Sequence, residues 1–207
     1  ENFAKLYAWA IEKVTPASQE ALTNAQGKWV KYEQGSDHMP LVESLQGHGT
    51  GWCTAGESTA ATQLQGGDFY VYYSLNQDGQ PKIPRATIRM EEDRIAEVRG
   101  IAHEQNLDPY IGDVVKEKLA EFPDGKAYEK KTADMKLLTE IDRKVKEEKS
   151  LTKDELIFLY EINDKIEGFG YQRDPRIGEI RETRVAEEDV PVIFECASEN
   201  IAYSISK

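Results

Sequence analysis

Asp68-Phe69-Tyr70-Val71-Tyr72-Tyr73-Ser74-Leu75 is the stretch on which the fold of this 207-residue chain turns. Aromatic and β-branched side chains crowd it, and these suit a pleated, half-buried strand. Asp78-Gly79 then marks a turn, and residues 83–90 follow with Ala86, Ile88 and Met90 on one face. A second tight turn at residues 91–94 leads into a third run at residues 95–99. Three such runs joined by short turns predict an antiparallel meander over residues 68–100. Period-two patterning implies one buried face, which helices must cover.

Helical patterns lie on both sides of the meander. Phe3, Leu6, Tyr7, Ala10, Ile11 and Val14 recur at helical spacing, and Thr15-Pro16 opens a second short helix reaching about residue 25. Residues 40–45 and 57–64 read as further helices, closed by Gly47 and by Gly66-Gly67. Beyond the meander, Asp108-Pro109 starts a helix carrying Ile111, Val114, Val115 and Leu119. Tyr128, Met135, Leu138, Ile141 and Val145 share one face of a longer one. Thr152 and Glu155 form a capping box between Leu151 and Leu156, opening a helix expected to carry Leu159, Tyr160 and Ile166 as far as Gly168. Asp174-Pro175 opens another. The expectation is an α+β fold: a small antiparallel sheet with a three-strand meander at its centre, packed by helices. The expected division is a core domain over residues 1–125, a helical extension packed on it over 126–184, and a tail at 185–207 with no clear pattern.

The formal net charge of −12 disfavours non-specific binding to duplex nucleic acid, because an acidic surface repels phosphates. No apolar run approaches the roughly 20 residues of a membrane helix. The first residues read as an amphipathic pattern and not as a signal sequence. Two cysteines are too few for a disulfide framework. These features place the protein in the cytoplasm. The chain begins without methionine, which reads as a processed product or an excised domain.

Candidate chemistry gathers in Gly47-His48-Gly49-Thr50-Gly51-Trp52-Cys53-Thr54-Ala55. Its glycines permit positive φ and close backbone approach. Cys53 is the candidate nucleophile with His48 as base; His103, oriented by Asn106 or Asp108, is a second candidate base. Trp52 and residues 69–73 supply apolar surroundings, so Cys53 is expected to be largely buried and unreactive. The stretch lacks the ending of a phosphate loop. Three histidines and two distant cysteines show no metal-ligand spacing, so no metal and no cofactor are expected. A second polar cluster closes the meander: Glu97 and Arg99 share one strand face, with Gln105 and Asn106 in the loop beyond. Trp52, Thr54, Arg99, Gln105 and Asn106 are therefore expected to converge with Cys53 on one binding pocket at the end of the sheet.

Trp52-Cys53-Thr54-Ala55, Tyr70-Val71-Tyr72-Tyr73, Pro84-Arg85-Ala86-Thr87-Ile88-Arg89-Met90, Ile95-Ala96-Glu97-Val98-Arg99-Gly100 and Gln105-Asn106 follow one another in an order that resembles the WCT/PcfJ-like domains of phage, plasmid and other mobile-element proteins. The resemblance covers residues 47–112. It implies a cysteine-bearing turn, then a helix, then three strands ending near Arg-Gly and Asn, with no settled activity. The plasmid members more often carry histidine where Trp52 stands, which counts against a Cys-His pair. The tail from Tyr128 onward resembles uncultured-bacterial relatives. Three readings follow: a module binding a small polar ligand or a protein partner, a Cys53-dependent hydrolase or transferase, and an ADP-ribosyltransferase-like enzyme. The last rests on His48-Gly49-Thr50, Gly56-Glu57-Ser58-Thr59, Glu179 and Glu182, although too few residues separate its first two elements.

Overall fold

A computed structural model describes residues 17–201. The chain divides into two compact units, residues 1–126 and 127–207. The helix expected over residues 3–14, and the Thr15-Pro16 start, lie outside the described residues.

The first unit is α+β. Its four-stranded antiparallel sheet has the order β1 (Gly27–Tyr32), β2 (Phe69–Leu75), β3 (Pro81–Glu91), β4 (Arg94–Gly100). The last three strands are the expected meander, and β1 adds a fourth strand at its edge. In the register, Val71 pairs with Thr87 and Thr87 with Arg99, while Phe69 pairs with Arg89 and Arg89 with Glu97. Directly paired residues share a sheet face. Phe69, Val71 and Tyr73 therefore lie on one face with Thr87, Arg89, Glu97 and Arg99.

The β2 half of that face is covered by α2 (Met39–Leu45) and α3 (Glu57–Gly66); α1 (Gln19–Thr23) precedes the sheet. Leu41, Val42 and Leu45 of α2, Ala60 and Leu64 of α3, and Trp52 from the connection between them bury against Phe69, Val71 and Tyr73. The Tyr32, Ser44 and Tyr73 hydroxyls form a closed ring of hydrogen bonds at 2.6–2.9 Å that fastens α2 to β1 and β2. Burial pushes the Tyr73 phenol upward, so it stays a neutral member of that ring.

Tyr70, Tyr72, Ala86 and Ile88 occupy the opposite face. There Tyr70 meets the edge of Phe122, just after α4 (Gly112–Leu119), at 5.3 Å between ring centres. Arg85, fully buried, lies at a register shift between Tyr72 and Tyr73. Its five N–H donors all find acceptors: Asp108 takes two, and Ser74 Oγ with the carbonyls of Leu22 and Asn24 take the rest. Asp108, expected to open a helix or orient His103, is instead committed to Arg85.

The second unit is helical: most of α5 (Gly125–Lys146), then α6 (Lys153–Leu159), α7 (Pro175–Glu182) and α8 (Ala186–Phe194). Leu138, Ile141, Leu151, Leu156, Leu159, Ile166, Ile177, Ile180 and Ile193 form its core. The capping box forms, with Thr152 Oγ1 accepting from the Glu155 amide and Glu155 accepting from the Thr152 amide. The helix it opens is shorter than expected. Its C-cap is Tyr160, Glu161 follows at φ 54°, and Ile166 reaches the core from a loop. Residues expected to form a patternless tail supply α8, whose Ile193 is part of that core. No described helix is long and apolar enough to cross a membrane.

Candidate functional site

The β3–β4 half of the sheet face carries polar side chains, and a cavity of about 470 Å³ opens over it. Thr87, Arg89, Glu97 and Arg99 line its floor. Trp52, Cys53 and Thr54 line one side, and Thr59, Thr62, Gln63 and Gly66 of α3 line another. Gln63 fixes that wall by donating its buried Nε2 to the Met90 carbonyl at 3.0 Å, joining α3 to β3.

A 3-10 turn at Cys53–Ala55 sets the cysteine. Gly47, Gly49 and Gly51 hold positive φ, which lets the preceding loop double back in a way side-chain-bearing residues resist. Trp52 then turns inward and donates its indole N–H to the Gly100 carbonyl at 2.9 Å, pinning the turn to the end of β4. Thr54 also points inward and is buried. Cys53, between them, is exposed and lines the cavity. The expectation of a buried thiol is thus corrected: the apolar surroundings of this stretch are used by Trp52, and the turn carries the intervening residue outward.

Arg99 is held from two sides. Its guanidinium lies 2.7 Å from Glu97 Oε1 and donates to Gln105 Oε1 at 2.5 Å. Gln105 in turn donates Nε2 to the Gly51 carbonyl at 2.8 Å, so one amide ties the arginine to the cysteine-bearing loop. The two partners require opposite ends of the amide, which fixes its orientation. Gln105 and its neighbour Glu104 both sit at positive φ (59° and 57°), a conformation that costs non-glycine residues roughly 1–2 kcal/mol each. Close packing of this loop on β4 demands Gly100: a Cβ there would meet the Asn106 carbonyl at 2.2 Å.

Arg89 is 3.6 Å from the other oxygen of Glu97, so two guanidinium groups share one carboxylate. Glu91, exposed, stands at the cavity's edge. Beyond that ion pair, the Arg89 guanidinium makes no hydrogen bond among the described residues. The hydroxyls of Thr54 and Thr87 likewise have no hydrogen-bond partner among the described residues, although these residues are only 8% and 3% exposed. Neither hydroxyl is sealed off as a buried orphan atom, and both residues line the cavity.

The structure therefore brings Trp52, Cys53, Thr54 and Arg99 to one cavity, with Gln105 bracing it from behind. Asn106 is turned away, its side chain donating to the His103 carbonyl. His48 lines a different cavity, with Ala21, Asn76 and Ile83, where burial lowers its pKa and keeps it neutral. No thiol–imidazole pair is assembled with Cys53. Glu179 and Glu182 lie in the second unit, whereas His48 lies in the first. Sequence reasoning missed Thr87 and Arg89, yet the alternation that buries Ala86 and Ile88 turns both of them to the other face.

No protein-family model, curated protein or solved structure matches the chain.

Proposed function

We propose that the first unit is a binding module whose cleft takes a small, oxygen-rich anion such as a carboxylate or phosphate compound. One observation carries the reading: Arg89 and Arg99, which share the single carboxylate of Glu97, line one cavity with Thr54 and Thr87, whose hydroxyls have no hydrogen-bond partner among the described residues. Binding sites are commonly cavities of about 300–1,000 Å³ in which apolar walls surround a few placed polar groups. Here Trp52, Phe69 and Met90 are the apolar walls. The cavity holds no histidine, so ligand binding accounts for it with fewer parts than acid–base catalysis. The likeness to WCT/PcfJ-like domains supports placing the module in a mobile-element or uncultured-bacterial protein of the cytoplasm.

The test is thermal-shift and calorimetric titration of the full chain with inorganic phosphate, mono- and dicarboxylates and mononucleotides. Binding by at least one anion is expected, weakened about tenfold or more by Arg99→Ala, since hydrogen bonds to charged groups contribute about 1.5–3 kcal/mol. If no anion binds, or if Arg89→Ala and Arg99→Ala bind as the parent does, the proposal fails.

A further inference from the structure

We infer that Cys53 is a thiol-exchange site for anionic disulfides, captured by the same cleft; this rests on the anion-binding reading above. Three observations meet there. Cys53 is exposed and lines the cavity, so a reagent can reach its sulfur. Arg89 and Arg99 stand on the floor of that cavity. Thr87, which is 97% buried, and Thr54 line the same space, and neither hydroxyl has a hydrogen-bond partner among the described residues.

The chemistry follows from what the cavity contains. Acyl transfer from a thiol needs a base and a holder for the developing oxyanion, and His48 belongs to another cavity. Thiol–disulfide exchange needs only a thiolate, access and alignment. The Cys53 thiolate attacks one sulfur of the disulfide, a new S–S bond forms to Cys53, and the original S–S bond breaks. The departing thiolate takes up the proton that Cys53 released. The disulfide is the oxidant: one of its sulfurs leaves reduced while Cys53 is oxidised. Carboxylates on the incoming disulfide would pair with the guanidinium donors that Glu97 and Gln105 leave open and accept from the threonine hydroxyls, which selects anionic over neutral reagents.

Cys196, partly buried in the second unit, is an internal control in the same chain. The experiment exposes the full-length protein to oxidised glutathione, to neutral 2-hydroxyethyl disulfide and to cationic cystamine, following each cysteine by peptide mass mapping. Cys53 is expected to react with oxidised glutathione at least about tenfold faster than with the neutral disulfide at low salt, the gain expected from direct hydrogen bonds between the arginines and a bound carboxylate. The preference should collapse in 1 M salt, where screening acts over about 3 Å. It should also vanish in the Arg89→Ala/Arg99→Ala variant, and Cys196 should show none of it. Equal preference at Cys53 and Cys196, or a preference that survives loss of both arginines, overturns the inference. A non-reactive dicarboxylate is titrated in parallel by thermal shift. If it binds through the arginines while Cys53 shows no anion preference, exchange is refuted and the binding reading stands. If neither occurs, both fall.

Discussion

Replacing Asp108 with alanine should cost the first unit a large part of its stability. Arg85 is wholly buried and Asp108 is 4% exposed, so the pair has almost no water to fall back on. Asp108 accepts from Arg85 Nε at 2.8 Å and Nη2 at 2.6 Å, and also from the Tyr110 amide at 3.1 Å. Its removal leaves a buried positive charge with two orphaned donors and frees the turn before α4. Breaking a buried pair on one side costs about 3–5 kcal/mol, against a total of about 5–15 kcal/mol for a domain. All three tryptophans, Trp9, Trp29 and Trp52, fall in residues 1–126, so tryptophan fluorescence during urea unfolding reports this unit. With a urea slope of about 1.5 kcal/mol per molar, the midpoint should drop by about 2 M or more. Arg85→Met combined with Asp108→Leu should be less damaging than Asp108→Ala alone, because no charge stays buried without a partner. A single variant within about 1 kcal/mol of the parent, or a double variant equal to the sum of its singles, would refute the reasoning.

Other expectations follow from single contacts. Glu104→Gly should raise the melting temperature by relieving its positive φ, leaving ligand binding unchanged; Gln105→Gly relieves the same strain but should weaken anion binding, because Arg99 loses its brace. Thr152→Ala should cost the second unit about 1 kcal/mol through loss of the capping box, read by hydrogen exchange over residues 151–160. The carboxyl of Asp189 is opposed by burial, but the Arg184 guanidinium and Tyr160 hydroxyl outweigh this and lower its pKa from 3.8. A carboxyl depressed by folding contributes stability that is present above its unfolded value and lost as pH falls through its folded value. The protection factors of residues 186–194, that is, exchange corrected for the intrinsic pH dependence of the amides, should therefore hold down to about pH 4 and fall below it. Arg184→Met should remove most of that acid dependence, and an unchanged profile would disprove the assignment.

The meander was legible because its apolar positions alternate over enough residues to exclude a helix. The edge strand β1 was not. Gly27-Lys28-Trp29-Val30-Lys31-Tyr32 is short, carries two lysines and pairs with β2 across some forty residues of sequence, so no local turn announces it. Lysines on an exposed edge discourage further pairing, and this same device hides the strand from a hydrophobicity reading. The spacing of Leu159 and Ile166 fits a continuing helix equally well as a helix followed by a loop; the left-handed turn at Glu161 decides between them, and glutamate does not advertise one. Exposure of Cys53 depends on where Trp52 finds its acceptor, a contact with Gly100 that is distant in sequence. Likewise, alternation places Arg85 with Thr87 and Arg89, yet the irregular register near Tyr73 sends it to Asp108.

Thr87 separates a structural from a functional account of the cleft. The half of the sheet face over β2 is apolar and covered, as folding requires. On the other half a buried threonine keeps a hydroxyl without a partner among the described residues, where valine has nearly the same shape and no hydroxyl to desolvate. Valine also suits a strand at least as well. If the site served packing alone, threonine would be the poorer residue there. Thr87→Val should therefore leave the first unit within about 1 kcal/mol of the parent, since the hydroxyl has no hydrogen bond among the described residues to lose. The same change should weaken an anion that accepts from the hydroxyl by about tenfold or more, since a hydrogen bond to a charged acceptor contributes roughly 1.5–3 kcal/mol. Urea unfolding followed by tryptophan fluorescence reads the first quantity, and titration with the best anion reads the second. A variant destabilised by more than about 1 kcal/mol with unchanged affinity would show that the hydroxyl serves the fold and not a ligand.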